Sequence, residues 1–236
     1  QSNMLGFNYA LKLESKPSGV FQCTDITGLQ LWFRRQSFIT HDTGVISKWE
    51  DISGNNNDAA QSDNAKKPRY SGGLTVDFEG HNTLTLGSQI NLGAFTIIMA
   101  INPDETQTLT NEAPLGKGGN DQIKMYRGGA NNRIALKANG VQSDINPMAT
   151  TFPTSQFLLT CVREAGGRFR VRINKSEVGA VVTDVTDLFD ITQIGSGDIT
   201  TTEFNGEINE IAIWNREINA TDLTNAENNI SNRNGI

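Results

Sequence analysis

The chain has 236 residues, 36% hydrophobic and 19% charged, which is enough for one substantial core and too apolar for a disordered polymer. Its formal net charge of −6 draws it toward neither phosphate backbones nor anionic lipid, so nucleic acid is excluded as a partner. The longest apolar run, Phe95 to Ile101, falls far short of the roughly 20 residues of a membrane helix, which excludes membrane insertion.

Gln1 to Met4 read as a protease-cleavage scar ahead of a natural start at Met4. Leu5 to Leu13 lacks the basic start, apolar stretch and cleavage site of a secretory signal, and Lys16-Pro17-Ser18-Gly19 is linker-like. Residues 1–27 are therefore expected to be remnant plus amino-terminal arm, and residues 28–236 the folded domain. From Leu29 the chain alternates apolar and polar residues over short stretches broken by Gly, Asn and Asp, which is strand and turn chemistry. Leu29, Leu31 and Phe33 form one such face; Leu74, Val76 and Phe78 another; Leu84 and Leu86 follow the turn at Gly80 to Asn82.

Phe95 to Ile101 is apolar nearly throughout, so it belongs in the middle of a sandwich and ends at Asn102-Pro103-Asp104. Ile123 and Met125, then Ile134 and Leu136, flank the Gly128 to Asn132 loop as a hairpin. A second hairpin joins Phe157–Arg163 to Arg168–Asn174, with Arg168, Arg170 and Arg172 expected on one solvated face. A last strand runs from about Glu207 to Trp214. One helix follows: Asn219 is placed as N-cap three residues before Asp222, Leu223, Ala226 and Ile230 recur at helical spacing, and Gly235 lies past the end. Cys23 and Cys161 are too few for a metal cage; two separate half-buried thiols are the simple reading, a single bridge the alternative.

Six stretches in order resemble laminin-G-like, concanavalin-A-like jelly-roll domains. They are Gly28 to Phe33, Val45 to Ala59 through Trp49 and Asp51, Pro68-Arg69-Tyr70, Val76 to Gly80, Leu115 to Gly119, and Asn205 to Arg216. The resemblance covers about Gly28 to Ile236. It implies an all-β fold, a two-sheet antiparallel jelly-roll sandwich with one short C-terminal helix, whose concave face or rim loops bind glycans or protein ligands, often with calcium. It also associates the chain with large extracellular bacterial proteins and with bacteriophage structural proteins.

Glycosidases on this sandwich need two carboxylates across the scissile bond. Glu207 and Glu210 are three apart, so on a regular strand they face opposite ways and cannot share a site. His41 and His81 lie in polar turns, neither cysteine has a nucleophile signature, and Gly116-Lys117-Gly118-Gly119 lacks the P-loop spacing. The chain is thus expected not to be an enzyme. Calcium needs six to eight oxygens, which Asp51, Asn55, Asn57, Asp58 and Asp77 could supply with backbone carbonyls; the competing reading is a compact turn bonded to its own backbone. Trp32, Trp49 and Trp214 belong in the core rather than on a sugar platform. Ligand contacts are expected instead from loops and a strand edge: Lys117, Asn120 and Asp121, then Asn131 and Asn132, and Tyr126.

The expected function is a non-catalytic recognition or assembly module on a virion or extracellular surface, its partner a glycan or a neighbouring structural protein. The alternatives are a carbohydrate-binding domain of a larger secreted protein and a divergent glycoside hydrolase.

Overall fold

A computed structural model describes residues 20–35, 39–42, 44–71, 75–104, 111–127, 132–145, 152–182, 186–196 and 202–236. Leu5 to Gly19, Leu74 and most of the Gly128 to Asn132 loop lie outside them. In chain order the strands begin with β1 (Leu29–Arg34), β2 (Ile39–Asp42), β3 (Val45–Trp49), β4 (Ala59–Ala60), β5 (Arg69–Ser71) and β6 (Thr75–Glu79). Then come β7 (Leu84–Leu92), β8 (Phe95–Pro103), β9 (Glu112–Lys117), β10 (Asp121–Tyr126), β11 (Arg133–Ala138) and β12 (Val141–Ile145). The last are β13 (Phe157–Arg163), β14 (Phe169–Ile173), β15 (Ser176–Glu177), β16 (Phe189–Ile194) and β17 (Asn205–Trp214), before helix α1 (Ala220–Asn234).

The strands form two antiparallel layers. In one, β14, β13, β8 and β17 lie side by side, and β17 pairs with β1 along one half and β6 along the other. The second layer runs β7, β16, β9, β10, β11, β12. The ladder passes between layers through β5, β3 and β4. Phe95 to Ile101 does sit centrally, paired on both edges by β13 and β17. Side chains from both layers meet in one core, including Leu31, Phe33, Phe78, Ile97, Met99, Ile123, Met125, Leu136, Ile191 and Ile211.

A second apolar cluster lies on the far side of the first layer, under α1. There Leu223, Ala226 and Ile230 bury against Trp32, Ile98, Ala100, Leu158, Ala212 and Trp214. The caps are those the sequence specifies: Asn219 Oδ1 accepts from the Asp222 N–H at 2.9 Å, and Gly235 closes the helix in the left-handed conformation at φ 71°. Phe21 and the buried Cys23 and Ile26 pack here too, so residues 21–27 form part of the folded unit. The two cysteines are free and buried in different clusters. All three tryptophans are buried; Trp32 donates its indole N–H to Glu210 at 2.8 Å.

One expectation of strand parity is corrected by a β-bulge. An irregularity between Leu29 and Leu31 turns Leu29 to the helix side while Leu31 and Phe33 enter the central core. The expected solvated arginine face is corrected for another reason: α1 and its approach largely cover Arg170 and Arg172, whose guanidinium groups meet Glu217 at 2.7 Å and Glu227 at 2.9 Å. Arg168 alone of the three is more than half exposed.

Candidate functional site

Because Ile123, Met125, Ile134, Leu136 and Ile145 point into the core, alternate residues of β10–β12 share the outer face of the second layer. Register aligns them in rows: Gln122 with Lys137 and Gln142, Lys124 with Ala135 and Asp144, and Tyr126 with Arg133. The Asn139-Gly140 turn, both residues at positive φ, sets that register between β11 and β12. The Tyr126 hydroxyl donates to Gln142 Oε1 at 3.1 Å, and the Arg133 guanidinium carbon sits 3.9 Å from the Tyr126 ring centre. The Lys124 ammonium is 5.4 Å from the same ring.

The residues proposed from sequence for ligand contact fall on β10 and its flanks, in two groups at opposite ends. At the β9–β10 turn Lys117 pairs with Asp190 at 2.9 Å and Asn120 is exposed. Asp121 is buried and accepts from the Asn139 N–H at 3.0 Å, which ties two turns together. At the other end Tyr126 and Asn132 are half-buried; Asn131 lies outside the described residues. Lys124, Arg133, Gln142 and Asp144 were not singled out, although Lys124 shares strand parity with Tyr126 and the hairpin itself was legible.

Four of the five residues proposed for calcium gather around the β1 bulge. Asp51 accepts from the N–H groups of Trp32 and Ser53 at 2.9 Å, from Asn57 N–H at 3.0 Å and from the Ser53 hydroxyl at 2.7 Å. Asn55 and Asn57 donate to the Leu29 and Gln30 carbonyls at 2.8 Å. Asp58 accepts from the Asp51 N–H and pairs with Lys48, both at 2.8 Å. The loop thus supplies partners to backbone groups that the bulge leaves off the ladder. As folded, both Asp51 oxygens already face donors.

Asp77, the fifth, lies elsewhere, in a cleft of about 510 Å³ at the end of β6, β8 and β17. It sits directly across from Glu207, with Glu79, Asp104 and Asn102 around the same cleft. Partial burial, then the neighbouring Glu79 and Glu207 charges, push the Asp77 carboxyl up to about 6. Glu207 is held by the Thr75 hydroxyl at 2.9 Å and by Asn102 Nδ2 at 3.3 Å. Gly206, at φ 138°, lets the backbone cross here; a Cβ would lie 2.5 Å from the Asn102 carbonyl oxygen.

The expectation that Glu207 and Glu210 face opposite ways is also corrected. Asn209 is an extra residue in β17, so Glu207 pairs with Asn102 and Glu210 with Ala100, two positions on one face of β8. They still do not share a site. Glu210 is buried beneath the end of α1, accepting from Trp32, from Asn234 at 2.8 Å and from Arg233 at 2.5 Å.

This two-layer architecture is that of a known class, and the chain belongs to the concanavalin A-like lectin/glucanases superfamily, whose laminin G-type family model matches residues 71–224. Among solved structures the fold is similar to Trypanosoma rangeli sialidase, with 16% identity and a TM-score of 0.56 over 88% of this chain and 33% of the sialidase. It is similar to the binding domain of botulinum neurotoxin serotype D/C, with 14% identity and a TM-score of 0.54 over 88% and 53% of the two chains. A third is Domain 4 of AbnA, a GH43 extracellular arabinanase from Geobacillus stearothermophilus solved with arabinotriose, with 16% identity and a TM-score of 0.53 over 83% and 96%. The chain spans a third of the sialidase and about half of the toxin domain. At these identities the likeness is one of fold. No curated protein was matched by sequence.

Proposed function

We propose that the chain is a non-catalytic recognition module that binds a glycan through the outer face of β10–β12, on a virion or another extracellular surface. The observation that carries this reading is the half-buried Tyr126 ring set among Lys124, Arg133, Gln142 and Asp144. A pyranose carries a rim of hydroxyls, and the donors and acceptors gathered around the Arg133-stacked Tyr126 ring match that rim. The superfamily includes lectins, and a domain of similar fold has been solved holding arabinotriose, which supports the ligand class. The same role fits a carbohydrate-binding domain within a larger secreted protein.

A glycan array run with and without calcium tests the proposal. Hits lost on Tyr126→Ala are the expected result. Silence under both conditions favours assembly with a neighbouring protein; a botulinum neurotoxin DC binding domain of similar fold is solved with rat synaptotagmin II. Hits that require calcium would mean that Asp51, Asn55, Asn57 and Asp58 give up their bonds around β1 to hold the ion.

A second reading, glycoside hydrolysis, is favoured by one observation, the facing Asp77 and Glu207 carboxyl groups in the cleft. Directly opposed residues place their Cβ atoms about 4.5–5.5 Å apart, compatible with a retaining pair. Turnover of aryl glycosides abolished by Asp77→Asn or Glu207→Gln would establish it; no turnover is expected.

A further inference from the structure

We propose that the outer face of β10–β12 takes an anionic saccharide, one bearing carboxylate or sulfate groups, with Lys124 as its central contact. This rests on the glycan reading and adds the charge of the ligand. Lys124 is 7% exposed, yet among the described residues its ammonium has no ion pair or hydrogen bond, only the Tyr126 ring. Arg133 on the adjacent strand is only weakly paired: its Nε is buried without a hydrogen-bond partner, and its ion pair with Asp144 spans 3.9 Å. Two cationic donors with unused capacity therefore converge on one tyrosine. With most of its stem buried, the Lys124 ammonium gains less from an aromatic face than it would from a counter-ion.

The surrounding charge points the same way. Lys124, Arg133 and Lys137 stand against Asp144 alone in these rows, on a chain whose net charge is −6. Ala135, between Lys124 and Asp144, has only a methyl group and competes for neither charge. A cluster of basic side chains beside the start of α1 has no comparable deficit, since Arg170 and Arg172 already meet Glu217 and Glu227. A neutral sugar would satisfy hydroxyl-seeking donors but leave the Lys124 charge uncompensated.

Calorimetric titration of the full chain with tetragalacturonate, with sulfated maltotetraose and with plain maltotetraose tests this. At low salt the two anionic oligosaccharides should bind in preference to the neutral one, their relative affinities separating carboxylate from sulfate recognition, and added NaCl should weaken both. Lys124→Met, which keeps the stem and removes the charge, should lower affinity by about tenfold or more, the usual scale for one charge-assisted bond. Thermal melts accompany each variant, and if Lys124→Met does not fold, Arg133→Gln takes its place. Equal affinity for neutral and anionic oligosaccharides, or unchanged affinity in a folded variant, overturns the inference and leaves the glycan reading standing. Binding of neither class overturns both.

Discussion

The Glu227 carboxylate on α1 accepts two hydrogen bonds from the Arg172 guanidinium on β14, at 2.9 and 3.1 Å, and a third from the Thr160 hydroxyl at 2.9 Å. Glu227 is 1% exposed, so the helix is clamped to the sheet by a buried ion pair as well as by apolar packing. Removing one partner leaves the other charge buried and unmet. Glu227→Ala should cost about 3–5 kcal/mol in urea unfolding, whereas the paired replacement Glu227→Leu with Arg172→Met should cost far less.

Asp77 makes stability fall as the pH rises. Its folded-state carboxyl titrates near 6, above the ordinary 3.8, so the folded chain holds a proton there that the unfolded chain has released. The contribution is present in acid, is lost between about pH 4 and 6, and stays lost above. Asp77→Asn should flatten that part of the melting-temperature profile and raise the melting temperature at pH 7.5 relative to wild type.

Both thiols should be inert in the folded protein. Burial raises Cys161 and, together with the Glu210 charge, pushes Cys23 up to about 12, so neither forms appreciable thiolate near neutrality. A thiol-reactive chromophore should register no cysteine in native buffer and two in denaturant.

Asp51→Ala tests the brace around the β1 bulge. It strips acceptors from Trp32, Ser53 and Asn57, and should destabilise the chain by about 2 kcal/mol or more, read from chemical denaturation. If added calcium raised the stability of the wild-type chain and not that of Asp58→Ala, the loop would have to be regarded as an ion site after all.

Much of the fold was legible because its signals are local. The alternation along β14, the apolar stretch of β8 and the Asn219 cap with Gly235 each depend on residues a few positions apart. What escaped depended on one extra residue or on distant contact. Parity counting assigns Leu29 to the central core and sets Glu207 against Glu210, and a single inserted residue in β1 and in β17 reverses each assignment. Arg170 and Arg172 read as a solvated stripe because nothing near them in sequence announces that a helix some fifty residues later will cover them. The site was half visible for the same reason. Tyr126 could be picked from its own strand, but Arg133 and Asp144 reach it only through the pairing of β11 and β12.

Phe21 and Ile236 both rest on the helix-covered side, where the Phe21 carbonyl accepts from Asn229 at 3.0 Å and Ile236 joins the same apolar cluster. Both ends of the described chain therefore lie behind the first sheet, and the Tyr126 surface lies on the outer face of the other layer.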